Sequence, residues 1–416
     1  MEHIEAHTMK LVGTVSAGTM KSSAVHFKPG DVLYGRLRPY LNKVYRPAFD
    51  GLCSAEFIVL PENERIDGGY LQYFLNSPAF VRFASRLNTG DRPRVDFDQL
   101  APYKIPLPPL SEQRRIIAEI EKQFSRLDDA LANLQRASAN LKRYKAAVLK
   151  AAVEGNLVPT EAELARGEGR VYETGQALLR RVLQIRRSQW KGNGRYEDPV
   201  QPNPTGLPHL PEGWAWARLD AVALIKGGIT VDKNRKDPTA RPVPYLRVAN
   251  VQRGYLDLEE IKLIDAPEVD INELRLVSGD ILFNEGGDRD KLGRGWIWEG
   301  QLPECIHQNH VFRARPFSSD VSGKLVSWWG NTFGKDYFLR EGKQTTNLAS
   351  INMTKLSAFP VPIAPLAEQG RIIAEVDRRL SIADGVEAEV GANLTRGQAL
   401  RHAALERAFS AQSGDG

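Results

Sequence analysis

The sequence predicts an α+β chain made from one unit used twice: two mixed α/β domains separated by two long antiparallel coiled-coil helices, in a pseudo-twofold internal repeat. Three observations predict it. Leu107-Pro-Pro-Leu-Ser-Glu-Gln-Arg-Arg-Ile-Ile-Ala-Glu-Ile120 returns 256 residues later as Ile363-Ala-Pro-Leu-Ala-Glu-Gln-Gly-Arg-Ile-Ile-Ala-Glu-Val376, and self-similarity at a fixed offset marks a repeat. Each occurrence opens a long run with apolar residues at intervals of three and four. Each is preceded by short β-rich runs punctuated by Gly, Asp and Pro. With 416 residues, 42% hydrophobic and 26% charged, the chain has room for two or three domains of ~150 residues and falls outside the disordered, collagen-like and membrane classes.

The β-rich runs come first in each copy. Val32-Leu33-Tyr34 and Phe57 to Leu60 match Ile281-Leu282-Phe283 and Val311-Phe312, and Lys28-Pro-Gly-Asp-Val-Leu33 aligns with Val277-Ser-Gly-Asp-Ile-Leu282 at an offset of 249. Helical sequence follows at Gly69 to Leu87 and at Lys324 to Arg340. The first long helix is expected from Ser111, a good N-cap with Glu112 in the first turn, to about Val153 before Gly155-Asn156. At ~1.5 Å per residue it is roughly 65 Å long. Its seam is Ile120, Phe124, Leu127, Leu131, Leu134, Leu141 and Val148, broken at Ser138 and Lys145. The second seam is Val376, Leu380, Ala383, Val390 and Leu394, with Glu387, Gly397 and Arg401 as weak positions. Two helices with one apolar stripe each are expected to pack on one another; the alternative is that each packs on its own domain.

Between the copies, Tyr172 to Trp190 is a basic amphipathic stretch, read as a solvated face or a contact for DNA or a partner. Pro199 to Pro211, with five prolines, reads as an extended linker. The second copy begins at Leu210-Pro-Glu-Gly-Trp214, ~70 residues ahead of Gly279, whereas 29 residues precede Gly30. The first copy is therefore expected to lack roughly 35 to 40 residues at its start.

Before each long helix stands a loop of basic and amide side chains: Asn88-Thr-Gly-Asp-Arg92-Pro-Arg94, and Gly342-Lys343-Gln344-Thr345-Thr346-Asn347. Arg and Lys grip guanine O6/N7 or phosphate, and Asn and Gln suit adenine N6/N7. Further candidates follow the two Gly-Asp strands: Arg36, Arg38 and Lys43, and Asn284, Arg289, Lys291 and Arg294. The net charge of +5 permits a polyanionic partner without establishing one.

Catalytic signals are missing. No Asn/Asp-Pro-Pro-aromatic tetrad is present, Asn203-Pro204-Thr205 being nearest, and none of the Gly-Lys pairs at 323, 334 and 342 precedes Ser or Thr. Glu260-Ile-Lys262 has half a nuclease motif without an acidic partner upstream. Cys305-Ile-His307-Gln-Asn-His310 has a metal-like look, yet Cys53 holds the equivalent place without either histidine, which favours structural roles and no metal. Two cysteines 252 residues apart build no disulfide framework and point to a reducing, cytoplasmic setting. No secretory leader or ~18-residue apolar run is found.

The order of strand-rich domain, Pro-Leu-x-Glu-Gln-x-Arg-Ile-Ile helix, proline linker, Leu-Pro-Glu-Gly-Trp, second domain and second helix resembles the DNA specificity subunit of type I restriction-modification systems. The resemblance implies a first target-recognition domain at 1–106, N-terminally incomplete, a long helix at 107–154 and a connector at 155–210. A second target-recognition domain at 211–362 and a second helix at 363–412 follow. It implies that each domain reads half of a bipartite site on double-stranded DNA, with the helices setting spacing. Glu112, Gln113, Ile120, Phe124, Leu127, Leu131, Leu134, Glu368, Gln369, Val376 and Leu380 are expected in helix packing and the docking of methylation subunits, two of them. A restriction and translocase subunit completes the complex. This chain is expected to bind no cofactor, with S-adenosylmethionine, ATP and Mg on its partners, and to be non-catalytic. The alternatives are a truncated or inactive specificity subunit, an enzyme with fused recognition domains, or a scaffold for other proteins.

Overall fold

Contacts divide the chain within its two long helices, giving one unit of residues 1–140 with 386–416 and another of residues 141–385. Each helix thus contributes to both, where the sequence suggested helices distinct from the domains. The computed structural model describes residues 2–16, 18, 23–88, 90–192, 194–230, 237–287, 291–344 and 349–410.

In the first unit the strands are β1 (Ala24–Phe27), β2 (Val32–Gly35), β3 (Val44–Tyr45), β4 (Gly51–Ser54) and β5 (Phe57–Leu60). They form an antiparallel sheet β3-β2-β5 and a separate pair β1-β4. The helical stretch read as continuous is two helices, α1 (Gly68–Leu75) and α2 (Pro78–Arg86). The break is chemical: Pro78 cannot donate in mid-helix, and the Ser77 hydroxyl caps the new helix by accepting from Phe80 N. After α3 (Phe97–Leu100), α4 runs from Leu110 to Val153. It starts one residue before Ser111, because the Pro109 carbonyl already takes the amides of Glu112 and Gln113; Ser111 is therefore in the first turn and not at the cap.

The second unit takes in α5 (Glu161–Glu168), α6 (Gly175–Ser188), β6 (Ala215–Arg218), α7 (Leu219–Val222), β7 (Ala223–Lys226), β8 (Arg241–Leu246), β9 (Lys262–Ala266) and α8 (Glu268–Leu274). It continues with β10 (Ile281–Asn284), β11 (Gly286–Gly287), β12 (Gly295–Ile297), β13 (Ile306–His307), β14 (Val311–Pro316), α9 (Gly323–Thr332) and α10 (Gly334–Glu341). It ends with β15 (Lys343–Gln344), β16 (Ala349–Ser350), α11 (Met353–Ser357), β17 (Pro360–Ile363) and the start of α12 (Leu366–Ser410). Its main sheet, β12-β10-β14-β7, repeats β3-β2-β5 with a fourth strand added. Smaller sheets are β13-β8-β9, β6-β17 and β11-β16-β15.

The long helices pair antiparallel inside each unit. In the first, Arg401 binds Asp128 at 2.6 Å and covers the Phe124 ring, and Gly397 faces Leu131 so closely that a Cβ would meet its Cδ2 at 2.6 Å. In the second, Lys145 binds Asp384 at 2.5 Å. Two of the three weak seam positions are thus matched ones: Gly397 makes room for a leucine, and Arg401 pairs with a carboxylate and a ring. Ile120, Phe124 and Val376 are buried, and Leu127, Leu131, Leu134 and Leu380 are half-buried. The end of α12 enters the first unit's core, where Phe409 meets Tyr70 and Phe74 edge-on. Likewise Val148, Ala152 and Val153 of α4 enter the second unit's core beside Leu178, Leu179 and Val182 of α6. The basic stretch is therefore a docked helix, with Arg181 bound to Glu173 and Asp320, and Arg186 to the Asp220 carbonyl and the Tyr196 hydroxyl.

Candidate nucleic-acid interface

One arrangement places the candidate loops in both units. In the first, the chain leaving β2 lies against the segment before α3 through an antiparallel bridge between Leu37 and Arg94. Around it Arg36 N donates to Glu56 O (2.9 Å), Arg38 N to Pro93 O (2.7 Å), Val95 N to Arg36 O (3.0 Å) and Gly35 N to Lys43 O (2.8 Å). The second unit repeats this. Gly286 bridges Ser350, Glu285 N donates to His310 O (2.9 Å), Ile351 N to Glu285 O (2.8 Å) and Asn284 N to Arg294 O (2.8 Å). Two loops more than fifty residues apart in sequence are thus joined in each copy by the same backbone contacts.

The side chains carried by that shared backbone differ. Arg36 pairs with Asp96, and Arg94 grips Glu56 with two bonds, Nε to Oε2 at 3.1 Å and NH2 to Oε1 at 2.6 Å. The guanidinium holds the Glu56 carboxyl below its usual range. Arg38 is exposed at a left-handed φ of 53° where the chain turns into the 3-10 turn Pro39–Leu41. Arg92 is exposed too, and neither has an ion-pair partner among the described residues. In the second unit Glu285 stands where Arg36 stands, His310 where Glu56 stands, and Ser350 where Arg94 stands. His310 Nδ1 lies 2.5 Å from Glu285 Oε2. Among the described residues of the two junctions a cation is kept at one equivalent place, Lys43 in one copy and Arg294 in the other.

Two of the candidate amides are engaged within the chain. Asn284 is fully buried and its Nδ2 donates to Val251 O (2.8 Å) and Val248 O (3.3 Å), so it ties strand β10 to a neighbouring turn. Asn88 turns its amide inward to the Arg94 carbonyl and to Gln99 Oε1, fastening its own loop. Lys43, Lys291 and Arg294 are half-buried, with Arg294 NH1 donating to Gln252 Oε1 at 2.9 Å. Lys343 and Gln344 lie in β15, paired with β16. Arg289, Thr345, Thr346 and Asn347 lie outside the described residues. Sequence reading missed Glu56, Asp96 and Glu285, the carboxylates that engage these loops; only a charge reversal at offset 249 signalled Glu285.

The metal-like cluster separates. Cys305 is buried, with its thiol pushed up to about 12 by burial. His307 is buried with Nδ1 2.6 Å from Val311 O and is held down at about 4 by desolvation, while His310 is exposed. Among the described residues no three such side chains are placed to hold an ion. No helix among them is long and apolar enough to cross a membrane.

The repeated Glu-Gln pair has a structural use. Gln113, at zero exposure, accepts from Asp67 N (2.8 Å) and donates to Arg65 O (3.0 Å) and Pro108 O (2.8 Å). Gln369 accepts from Ser322 N (2.9 Å) and donates to Ala364 O (2.9 Å). Asp67 and Ser322 are the N-caps of α1 and α9, so each glutamine locks the start of a long helix to the start of a domain helix. Glu368 is buried, accepting from Glu161 N and Trp214 Nε1, both at 2.8 Å, and burial raises its carboxyl. Glu112 is ion-paired only to Arg115, within α4, among the described residues.

Comparison with known proteins agrees with this layout. Residues 21–139 match the model of the type I restriction modification DNA specificity domain. The type I restriction enzyme EcoKI specificity subunit of Escherichia coli K12 is 23% identical over 87% of this chain and 68% of its own. A chain from a structural study of the assembly and conformational transition of a type I R-M system superposes with a TM-score of 0.69 at 20% identity, covering 98% of this chain and 89% of that one. The HsdS subunit from Thermoanaerobacter tengcongensis gives 0.56 at 20% identity, over 98% and 88%.

Proposed function

Since the chain belongs to the family of type I restriction-modification DNA specificity subunits, we propose that each of its two units reads one half of a bipartite site on double-stranded DNA. The observation that carries this reading is the duplicated junction of Leu37 with Arg94 and of Gly286 with Ser350. One backbone frame presents arginines in one copy and a Glu285–His310 pair in the other. A frame kept while its polar groups change suits two readers of unlike half-sites. Arg38 and Arg92 supply phosphate or guanine contacts, and Arg94 can exchange Glu56 for a base edge or phosphate. In this reading the paired helices set the half-site spacing.

The chain is non-catalytic in this proposal. Methylation subunits, two of them, dock on the long helices and use S-adenosylmethionine, and a restriction subunit uses ATP and Mg. The experiment is to assemble the chain with its methylation subunits, read the methylated motif across a genome, and repeat with Arg92→Ala. A bipartite motif with one half relaxed is the expected result. A continuous motif, no motif, or equal loss at both halves overturns the proposal.

A further inference from the structure

The two junctions share a backbone and present opposite hydrogen-bonding chemistry. In the first unit the surface groups include guanidiniums, which only donate: Arg94 holds Glu56 by two bonds, and Arg36 pairs with Asp96. In the second unit the places of Arg36 and Glu56 are taken by Glu285 and His310. Strands β10 and β14 run in register as far as Asn284 and Val311, both fully buried. The ladder then goes one step further. Glu285 N donates to His310 O at 2.9 Å, and Ile351 N donates to Glu285 O at 2.8 Å. Both backbone groups of Glu285 are thus held, and its side chain forms a cross-strand pair with that of His310 at the end of the sheet.

The carboxylate is 28% exposed and the imidazole 55%. A carboxylate only accepts, so the proton in the 2.5 Å bond between Nδ1 and Oε2 sits on Nδ1. In the neutral ring this leaves Nε2 with a lone pair, and the bond fixes the tautomer and the ring together. Glu285 Oε1 has no partner among the described residues. Two acceptors are therefore held side by side. As an exposed pair they add little to the fold, and Asn284, one residue earlier, already ties this end of β10 to its neighbouring turn.

The edges that bases show in the major groove sort against such a pair. Guanine shows two acceptors and thymine one, which carboxylate and lone pair repel; adenine sets its amino group beside N7, an acceptor that asks for a donor; cytosine shows the N4 donor alone. We propose, resting on the proposed role of the junctions at DNA, that Glu285 Oε1 reads a cytosine in the second unit's half-site through the N4–H left free by base pairing, and that His310 is its positioning residue.

The test assembles the full-length chain with its methylation subunits and reads the methylated motif across a genome. A C·G pair is expected in the half-site that Arg92→Ala leaves intact. Glu285→Gln is expected to turn that position to A·T, because a carboxamide both donates and accepts as adenine N6/N7 requires, with every other position unchanged. His310→Ala is expected to keep cytosine preferred and to narrow its advantage over the other bases about fivefold, a change of discrimination that a role in folding alone does not produce. In a binding titration, 2-pyrimidinone, which lacks the amino group, is expected to weaken the wild-type complex at least tenfold when it replaces that cytosine, and the Glu285→Ala complex less than twofold. 7-Deazaguanine on the opposite strand is expected to change neither. The wild-type titrations need no variant to fold. A wild-type motif that is not bipartite overturns the DNA reading itself. A bipartite motif overturns the cytosine contact alone if Glu285→Gln leaves it unchanged or alters the half that Arg92→Ala relaxes, or if the 7-deazaguanine duplex loses affinity in place of the 2-pyrimidinone one.

Discussion

Replacing the glutamine of the repeated motif by alanine should destabilise both units, and the first more than the second. Gln113→Ala leaves three backbone groups without their partner: the Asp67 amide and the Arg65 and Pro108 carbonyls. Gln369→Ala leaves two, the Ser322 amide and the Ala364 carbonyl. Both side chains are buried, at 0% and 4% exposure, so water does not replace them without rearrangement. An orphaned buried group costs ~1 to 3 kcal/mol. At the lower end the losses are ~3 kcal/mol for Gln113 and ~2 kcal/mol for Gln369. Because the amides belong to the caps of α1 and α9, the damage should begin at the start of each domain helix. Urea titration gives the size of each loss, and amide exchange read along the sequence gives its place. Exchange should quicken at Asp67–Leu71 in one variant and at Ser322–Val326 in the other. A loss under ~1 kcal/mol in Gln113→Ala, or a larger loss in Gln369→Ala, would refute the reasoning that these glutamines act through their backbone partners.

Other outcomes follow from the same geometry. Arg92→Ala in the assembled complex should weaken one half-site by ~1 to 3 kcal/mol if it grips a base; if it grips phosphate, the slope of log affinity against log salt should fall by ~1 instead. Arg94→Ala should cost more DNA affinity than Arg94→Ala with Glu56→Ala, because the single change uncovers a carboxylate at the interface; equal affinities in a binding titration would count against this placement. Asn284→Ala should lower stability by ~1 to 3 kcal/mol in denaturant titration by orphaning its buried partners, while the methylated motif of the folded protein stays the same. His307, displaced downward to about 4 by burial, makes the second unit sensitive to acid. Its stabilising contribution is complete above pH 6.5 and is lost as pH falls through about 4, a change of ~3 kcal/mol that His307→Asn should flatten in stability measured against pH.

The long helices were legible because their signal is local and repeated: α4 ends at Val153, where Gly155-Asn156 announced it. The β runs at Val32, Phe57, Ile281 and Val311 were legible for the same reason, each set between Gly, Asp and Pro. The break at Ser77-Pro78 lay in plain view, because a Ser-Pro pair suits the start of a new helix and not the interior of one. The candidate site was legible only in halves. Both loops of each copy could be named from residue type, but nothing local says that Leu37 meets Arg94 across fifty-seven residues. Asn284 shows what reading type without environment leaves open. An amide after a strand suits an adenine edge and a buried backbone carbonyl equally, and only tertiary packing decides.

In the proposed reading, the charge pattern at the two junctions limits what each unit can recognise. In the first unit Arg36 and Arg94 are both answered by carboxylates, Asp96 and Glu56, at surface positions. An exposed pair of this kind contributes little to folding. Its more telling property is that it holds two guanidiniums in fixed poses while lowering the net positive charge of the face, which weakens attachment to arbitrary phosphates more than to a base pair that fits the fork. In the second unit the same frame holds a carboxylate and an imidazole. A carboxylate there accepts from cytosine N4 and repels phosphate, and the cation common to both frames, Lys43 in one and Arg294 in the other, does not separate them. The second half-site should therefore depend less on salt than the first, and the two slopes, measured with DNA carrying one intact half-site at a time, separate the units by their own chemistry.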